Sequence, residues 1–172
     1  MIKNDNHLGK RDFFYVWYFL SHILITVFID SGILIPEDYQ LSLQKALVQL
    51  HIEVNKDFLL AQLPLWLKIF GIFELTIQLP FFICAPLLLI KRKKSLYPFM
   101  VLYGFNASFT TLVCLCHIFV ESEQNGLSSW DSWKLSALYM PYLLIPFFIM
   151  VDYVIRITKE LNFSPSFIKK TI

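Results

Sequence analysis

Cysteine is scarce in this chain. The three cysteines, Cys84, Cys114 and Cys116, all lie inside apolar runs. A disulfide framework would need an even number of cysteines placed outside a membrane. The chain is therefore not a disulfide-stabilised secreted domain, and we expect its thiols to pack against other side chains.

Charge and glycine are sparse as well. Charged residues make up 16% of the chain, the net formal charge is +2, and no basic stripe with interleaved aromatic residues indicates a nucleic-acid surface. The glycines form no phosphate-binding loop, and there is no nucleophile elbow. His7, His51 and His117 have no metal-ligand spacing with the cysteines. We therefore predict neither a metal site nor a cofactor.

Apolar residues dominate instead. Hydrophobic residues make up 56% of the sequence, which is more than an ordinary soluble domain carries. A helix needs about 20 residues to cross the roughly 30 Å hydrocarbon core of a bilayer, and four apolar runs reach that length. The sequence predicts an all-α integral membrane protein, a four-helix transmembrane bundle that forms a single domain over residues 1–172. The spans are expected at approximately 13–35, 66–90, 97–120 and 135–157.

The segment between the first two spans has helical periodicity. Leu43, Leu47, Leu50 and Val54 repeat at helical intervals among polar residues. This pattern predicts an amphipathic helix that lies across the mouth of the bundle. Asp57 then precedes a short apolar run and is expected to cap a turn or short helix, which is a structural role.

The distribution of Lys and Arg predicts the orientation. Basic residues collect at both termini and at Lys91-Arg92-Lys93-Lys94, so the positive-inside rule predicts cytosolic termini. The tail, residues 158–172, ends in Lys169-Lys170-Thr171-Ile172. This ending resembles the dilysine signal that retrieves membrane proteins to the endoplasmic reticulum, an address read by a receptor. The alternative is a solvated basic tail.

Two acids interrupt the first two spans. A carboxylate at membrane depth costs roughly 2.5–3.5 kcal/mol on insertion scales, so it persists only with a partner or a function. Glu74 and Gln78 are spaced to share one helix face, just before Pro80, which bends the helix. This polar face beside a bend predicts one wall of a pocket.

The first span supplies a candidate for the opposite wall. His22, Thr26 and Asp30 are spaced at four-residue intervals along one helix ridge. Asp30 either lies in water at the membrane exit or faces Glu74. Two carboxylates in contact cannot both ionise cheaply, so a facing pair would share one proton. Such a pair offers one donor and one acceptor, which suits an ammonium group or a sterol hydroxyl.

Four stretches of the sequence resemble, in order, the four spans of the sigma-2 receptor branch of the EXPERA family, a group that also holds the emopamil-binding sterol isomerases. The matching stretches are Tyr18-Phe19-Leu20-Ser21-His22-Ile23 with Asp30, Phe73-Glu74-Leu75 with Gln78-Leu79-Pro80-Phe81-Phe82, Thr110-Thr111-Leu112, and Tyr139 with Pro141-Tyr142-Leu143-Leu144-Ile145-Pro146-Phe147. The third stretch departs by one residue in spacing around residues 106–109.

The resemblance implies a membrane protein of the endoplasmic reticulum, often dimeric, with a buried cavity for sterols and cationic amphiphiles. It implies that Asp30 meets a ligand's amine and that Glu74 is a second acid bonded to it. The same resemblance implies support of the fold by Asp57. The remaining predicted ligand-binding residues are His22, Gln78, Thr111 and Tyr142, and Pro80 is a predicted structural support.

The predicted function is therefore binding of a sterol-like lipid or cationic amphiphile, in lipid homeostasis or trafficking, without catalysis. One alternative is a membrane adaptor or quality-control factor that handles other membrane or precursor proteins. Sterol isomerisation is a second alternative, because paired carboxyls can act as general acid and base. A third is that the polar residues only bond to one another between helices. The expected partners are a sterol or other hydrophobic molecule, membrane lipid, a second copy and membrane-protein clients, but no nucleic acid.

Overall fold

A computed structural model describes residues 8–162. Within that range every regular element is helical, and four segments are long and apolar enough to cross a membrane. The prediction of an all-α membrane protein with four spans is confirmed. The spans are Lys10–Ile33, Leu65–Ile90, Lys94–Glu121 and Ser129–Asn162. The predicted signal at Lys169 and Lys170 lies outside the described residues.

The chain divides into two compact units that meet in sequence between Lys93 and Lys94. The helices of the first unit are α1 (Lys10–Phe28), α2 (Ser42–Asn55), α3 (Phe58–Gln62), α4 (Leu65–Phe73) and α5 (Leu79–Ile90). Short 3-10 turns at Asp30–Ile33 and Glu37–Tyr39 connect α1 to α2, and a π turn at Glu74–Gln78 joins α4 to α5.

Aromatic contacts hold α1 against α5. Phe19 has no exposed surface and packs edge-on against Phe81, with ring centroids 5.6 Å apart. The ring of Phe82, also fully buried, lies 5.9 Å from the ring of Phe19. This packing places the last turns of α1 beside the π turn of the second span.

The π turn has a local cause in Pro80. Proline has no N–H, so the carbonyl four residues before it, that of Thr76, has no α-helical donor. The N–H of Leu79 bonds to the carbonyl of Glu74, five residues back, which is the π pattern. The hydroxyl of Thr76 donates to the carbonyl of Ile72 at 2.6 Å. The chain thus accommodates Pro80 by widening the preceding turn.

The amphipathic helix between the first two spans is α2, but its leucine repeat is not the face that packs. Leu43, Leu50 and Val54 are 54–56% exposed. Gln44 is buried instead, and Val48 is half-buried next to Gly32. The amide of Gln44 determines this orientation. When buried it requires hydrogen-bond partners, which the first span supplies, whereas the leucines have no such requirement.

The second unit is a helical hairpin of α6 (Tyr97–Glu121) and α7 (Ser129–Asn162), preceded by a 3-10 turn at Lys94–Leu96. The helix α7 is longer at both ends than the predicted span. Ser128 and Asp131 cap its start reciprocally, with the N–H of each residue donating to the other's side-chain oxygen at 3.2 Å.

Small side chains allow α6 and α7 to approach closely. A Cβ added to Gly104 would lie 2.5 Å from the carbonyl oxygen of Pro146. One turn further, the hydroxyl of Ser108 donates to the carbonyl of Leu143 at 3.2 Å. Gly104 and Ser108 thus form a small-residue contact of the kind that brings membrane helices together.

Candidate functional site

A polar cluster lies between α1 and the π turn. We call the side chains of His22, Thr26, Asp30 and Glu74 the carboxyl cluster. The hydroxyl of Thr26 donates to Oε1 of Glu74 at 3.0 Å, and Nε2 of His22 lies 3.6 Å from the same oxygen. The ridge predicted from the sequence therefore faces the acid of the second span.

The two acids of the cluster lie next to each other. The carboxyl of Asp30 neighbours both Glu74 and Thr26. Two carboxyls in contact cannot both ionise cheaply, so a facing pair favours sharing one proton. Asp30 is half-buried. A proton shared by the two acids is used in the contact between them, and the remaining carboxyl oxygens can accept from a ligand.

The cluster is partly open on the carboxyl side and closed on the histidine side. The side chain of Glu74 is 22% exposed, whereas that of His22 is 10% exposed. The imidazole ring lies 4.7 Å from the ring of Phe82 and 5.2 Å from that of Tyr18, measured between centroids. Aromatic faces thus border the polar groups, as in sites for apolar ligands with one polar end.

Gln78 and Pro80 belong to the same turn as Glu74. Gln78 is buried at the end of the π turn, and Pro80 occupies the first turn of α5. The sequence analysis placed Glu74 and Gln78 on one face because residues four apart share a face of an α-helix. A π turn closes over five residues rather than four, so the two side chains do not share a face in the regular α-helical way. The role of Gln78 toward a ligand stays a prediction.

Asp57 lies away from the carboxyl cluster, at the N-cap of α3. Its fully buried carboxylate accepts from the N–H of Leu60 at 3.1 Å and lies 3.1 Å from Nε2 of His51. The side chain of Asn55 is 3.0 Å from the other ring nitrogen of His51. These contacts tie the end of α2 to the start of α3, a geometry that stabilises the fold.

Thr111 and Tyr142 belong to the second unit, where the structure brings them together. Pro146 has no N–H, so the carbonyl of Tyr142, four residues earlier, has no α-helical donor. The hydroxyl of Thr111 donates to this carbonyl at 3.3 Å and to that of Ala107 at 2.8 Å. The hydroxyl therefore has a structural use, and ligand contact by Thr111 or Tyr142 stays a prediction.

Two residues of the first unit were given no role by the sequence analysis. Thr26 was placed on the ridge, and in the structure its hydroxyl donates to Glu74 across the two spans. Gln44 lies in α2 and donates to the carbonyl of Val27 and to Oγ of Ser31, both at 2.9 Å. The one signal in the sequence for Gln44 was its position four residues before Val48, which places both residues on the same face of α2.

Across residues 8–162, no group of three or more His, Cys, Asp or Glu side chains is arranged to hold a metal.

Comparison with known proteins identifies relatives along most of the chain. "Efficient mitochondria targeting-associated protein 19" of Saccharomyces cerevisiae is 38% identical over 153 residues, covering 81% of this chain and 95% of that protein. Its namesake in Schizosaccharomyces pombe is 29% identical, covering 94% of this chain and 84% of that protein. Human "Sigma intracellular receptor 2" is 31% identical over 144 residues, covering 78% of this chain and 81% of the receptor.

A family model agrees with this set of relatives. The model of EXPERA (EXPanded EBP superfamily) matches residues 43–153. This range contains Glu74, Gln78, Thr111 and Tyr142, and it begins after Asp30. Because the match covers well over half of the 172 residues, the chain belongs to the EXPERA family, and its relatives include sigma intracellular receptor 2 and the yeast targeting-associated proteins.

Proposed function

We propose that this membrane protein binds a sterol-like lipid or a cationic amphiphile at the carboxyl cluster, and that it acts in lipid homeostasis or trafficking. The observation that carries the proposal is that Asp30 and Glu74, two acids from two different spans, lie against each other. Glu74 lies nine residues inside the second span, and a carboxylate at the centre of a span costs roughly 2.5–3.5 kcal/mol to insert, so an acid kept there only to join two helices would be expensive.

The pair has the chemistry to hold either class of ligand. An ammonium group would offset the negative charge that remains when one proton is shared, and it would lie near the aromatic rings that border His22. A sterol hydroxyl could donate to a carboxyl oxygen that does not take part in the contact between the two acids. The partial exposure of Glu74 supports access for such a group.

The proposal is one of binding without turnover. An isomerase must protonate one carbon and remove a proton from another, which calls for an acid and a base that are separately placed. A carboxyl pair that shares one proton through a direct hydrogen bond is better suited to holding a polar head group. Because the EXPERA name covers the EBP superfamily, product analysis belongs in the binding experiment.

A second candidate function comes from the names of the yeast relatives. Two of them are named for association with efficient mitochondrial targeting, and one shares 38% identity over 95% of its length. By this reading the chain handles precursor or other membrane proteins. The two readings separate genetically, since Glu74→Gln should abolish a ligand-dependent function but leave an adaptor intact. Changes at Lys91, Arg92 and Lys93 should impair an adaptor function but leave a ligand-dependent function intact.

We also propose residence in the endoplasmic reticulum with both termini in the cytosol. Lys91 to Lys94 are exposed immediately after α5, as expected for a cytosolic turn. Replacing Lys169 and Lys170 with serine should shift a tagged chain out of the endoplasmic reticulum if the ending is a retrieval signal. An unchanged distribution would support the solvated-tail interpretation.

The test of the binding proposal is photolabelling of the full chain in lipid nanodiscs with a photoreactive sterol. Wild type is compared with Asp30→Asn and Glu74→Gln, and the matched control is Glu53→Gln, the same change of chemistry on the exposed face of α2. We expect saturable labelling of wild type and Glu53→Gln, and a large loss in the two cluster variants.

The same samples separate the alternatives. Labelling that is absent, or equal in all four proteins at matched folding, would contradict the binding site and favour the adaptor reading. Isomerised sterol released by wild type but not by Glu74→Gln would establish catalysis in place of binding alone.

A further inference from the structure

The helix α2 has three distinct faces, only one of which is used inside the first unit. The packed face is built around buried Gln44 and half-buried Val48 and His51. A polar face carries Gln49 and Glu53, which are exposed and bonded to each other at 2.7 Å. The third face, the α2 stripe, is apolar and consists of Leu43, Leu47, Leu50 and Val54.

Most of the α2 stripe is uncovered. Leu43, Leu50 and Val54 are 54–56% exposed, and Leu47 is half-buried. The surface continues toward the preceding turn, where Leu41 is 63% exposed. Exposing a row of apolar side chains to water is unfavourable in free energy. We therefore expect the stripe to lie in an apolar or interfacial environment.

Hydrogen bonds fix the depth of α2 along the first span. The amide of Gln44 donates to the carbonyl of Val27 and to the hydroxyl of Ser31. These residues follow Lys10 by 17 and 21 positions, and at 1.5 Å per residue they lie about 26–32 Å along the helix. A hydrocarbon core is roughly 30 Å thick, so this contact lies at its far edge, counted from Lys10.

The neighbours of α2 in the chain also carry exposed apolar and aromatic side chains. Val27, whose carbonyl accepts from Gln44, has an exposed apolar side chain on the first span, and Leu65 at the start of the second span is 75% exposed. Tyr39, just before α2, is 81% exposed. Tyrosine is enriched at the level of the head groups because it pairs an apolar ring with a polar hydroxyl.

We infer that α2 is a membrane-interface helix, and that the α2 stripe inserts between head groups and acyl chains of the leaflet at the far end of the first span. The bilayer is the occupant because Gln44 holds α2 at the far edge of the hydrocarbon core, beside exposed apolar side chains of the spans, and the polar face of Gln49 and Glu53 lies on another side of the helix. Interfacial helices bury their apolar face in this zone. This inference does not depend on the ligand proposed for the carboxyl cluster.

The inference has a consequence for the carboxyl cluster. Gln44 contacts the residues three before and one after Asp30 along the chain. Insertion of α2 in the interface therefore anchors the end of α1, and with it Asp30, at a defined depth. The bilayer itself contributes to the position of the acid.

The test uses an environment-sensitive fluorophore on single cysteines of the full chain in nanodiscs. The background carries Cys84→Ser, Cys114→Ala and Cys116→Ser, and its fold is checked against wild type by helical content and thermal unfolding. Two labelling sites, Leu50→Cys and Val54→Cys, report on the α2 stripe. Their matched controls, Gln49→Cys and Glu53→Cys, are sequence neighbours on the polar face.

We expect nitroxide lipids labelled near the head group to quench the stripe sites severalfold more than the controls, and iodide in the water to do the reverse. Strong iodide quenching at all four sites would overturn the inference, because the stripe would then lie in water. Protection of the stripe sites from both quenchers would also overturn it, in favour of a protein cover such as a second copy.

Discussion

The hydroxyl of Thr26 donates to Oε1 of Glu74 at 3.0 Å, and Thr26 has no exposed surface. This contact joins the two helices that carry the acids of the site. It also places one neutral donor beside the carboxyl pair. Thr26 therefore holds Glu74 against the helix that leads into Asp30.

The first prediction concerns that hydroxyl. Thr26→Val keeps the shape but removes the donor, and an unsatisfied buried polar partner costs about 1–3 kcal/mol. We expect a lower thermal unfolding midpoint together with weaker photolabelling by the sterol probe, whereas Thr26→Ser should retain most of both. Wild-type labelling by Thr26→Val at unchanged stability would show that the hydroxyl does not position the acids.

The second prediction concerns the close approach of α6 and α7. In Gly104→Ala the new methyl would lie 2.5 Å from the carbonyl oxygen of Pro146 and 2.8 Å from the nitrogen of Met150. Because both obstacles are backbone atoms, the helices must separate, and overpacking of this kind costs about 1–3 kcal/mol. Thermal unfolding in detergent measures the loss. Gly9→Ala is the control, since its methyl meets nothing closer than 3.9 Å.

The third prediction concerns the cap at Asp57. Asp57→Ala removes the acceptor for Leu60 and the partner of His51, and loss of an N-cap costs about 0.5–2 kcal/mol. Asp57→Asn keeps an acceptor and should lose less stability. Limited proteolysis between α2 and α3 reports the opening of this connection. Cleavage that rises equally in Asp38→Ala, a change at an exposed acid, would argue against a specific role of the cap.

The fourth prediction concerns an ion pair near the end of α7. Buried Asp152 lies 2.7 Å from Arg156, whose guanidinium also covers the ring of Tyr153 at 4.5 Å. Arg156→Met removes the cationic partner of this buried carboxylate, with an expected loss of up to about 3 kcal/mol. Adding Asp152→Asn to the Arg156→Met variant should recover part of the lost free energy of unfolding. A double-mutant cycle measures the coupling between the two side chains. Additive losses would mean that the two side chains act independently.

Some features of the fold and site follow from the sequence because they depend on neighbouring residues alone. The four spans follow from the length of apolar runs relative to the thickness of a bilayer. The helix α2 follows from its periodicity, and the ridge of His22, Thr26 and Asp30 follows from helix geometry. The bend at Pro80 is likewise local, although the sequence does not say that it takes the form of a π turn.

Other features depend on groups that are distant in sequence. Only the packing of α1 on α5 brings Asp30 to Glu74. The face of α2 that packs is chosen by Gln44, because a buried amide must find partners and Val27 and Ser31 supply them. The sequence by itself therefore determined which segments are helical and apolar. The tertiary structure decided which polar groups meet, since each buried donor or acceptor is satisfied only by the segment packed against it.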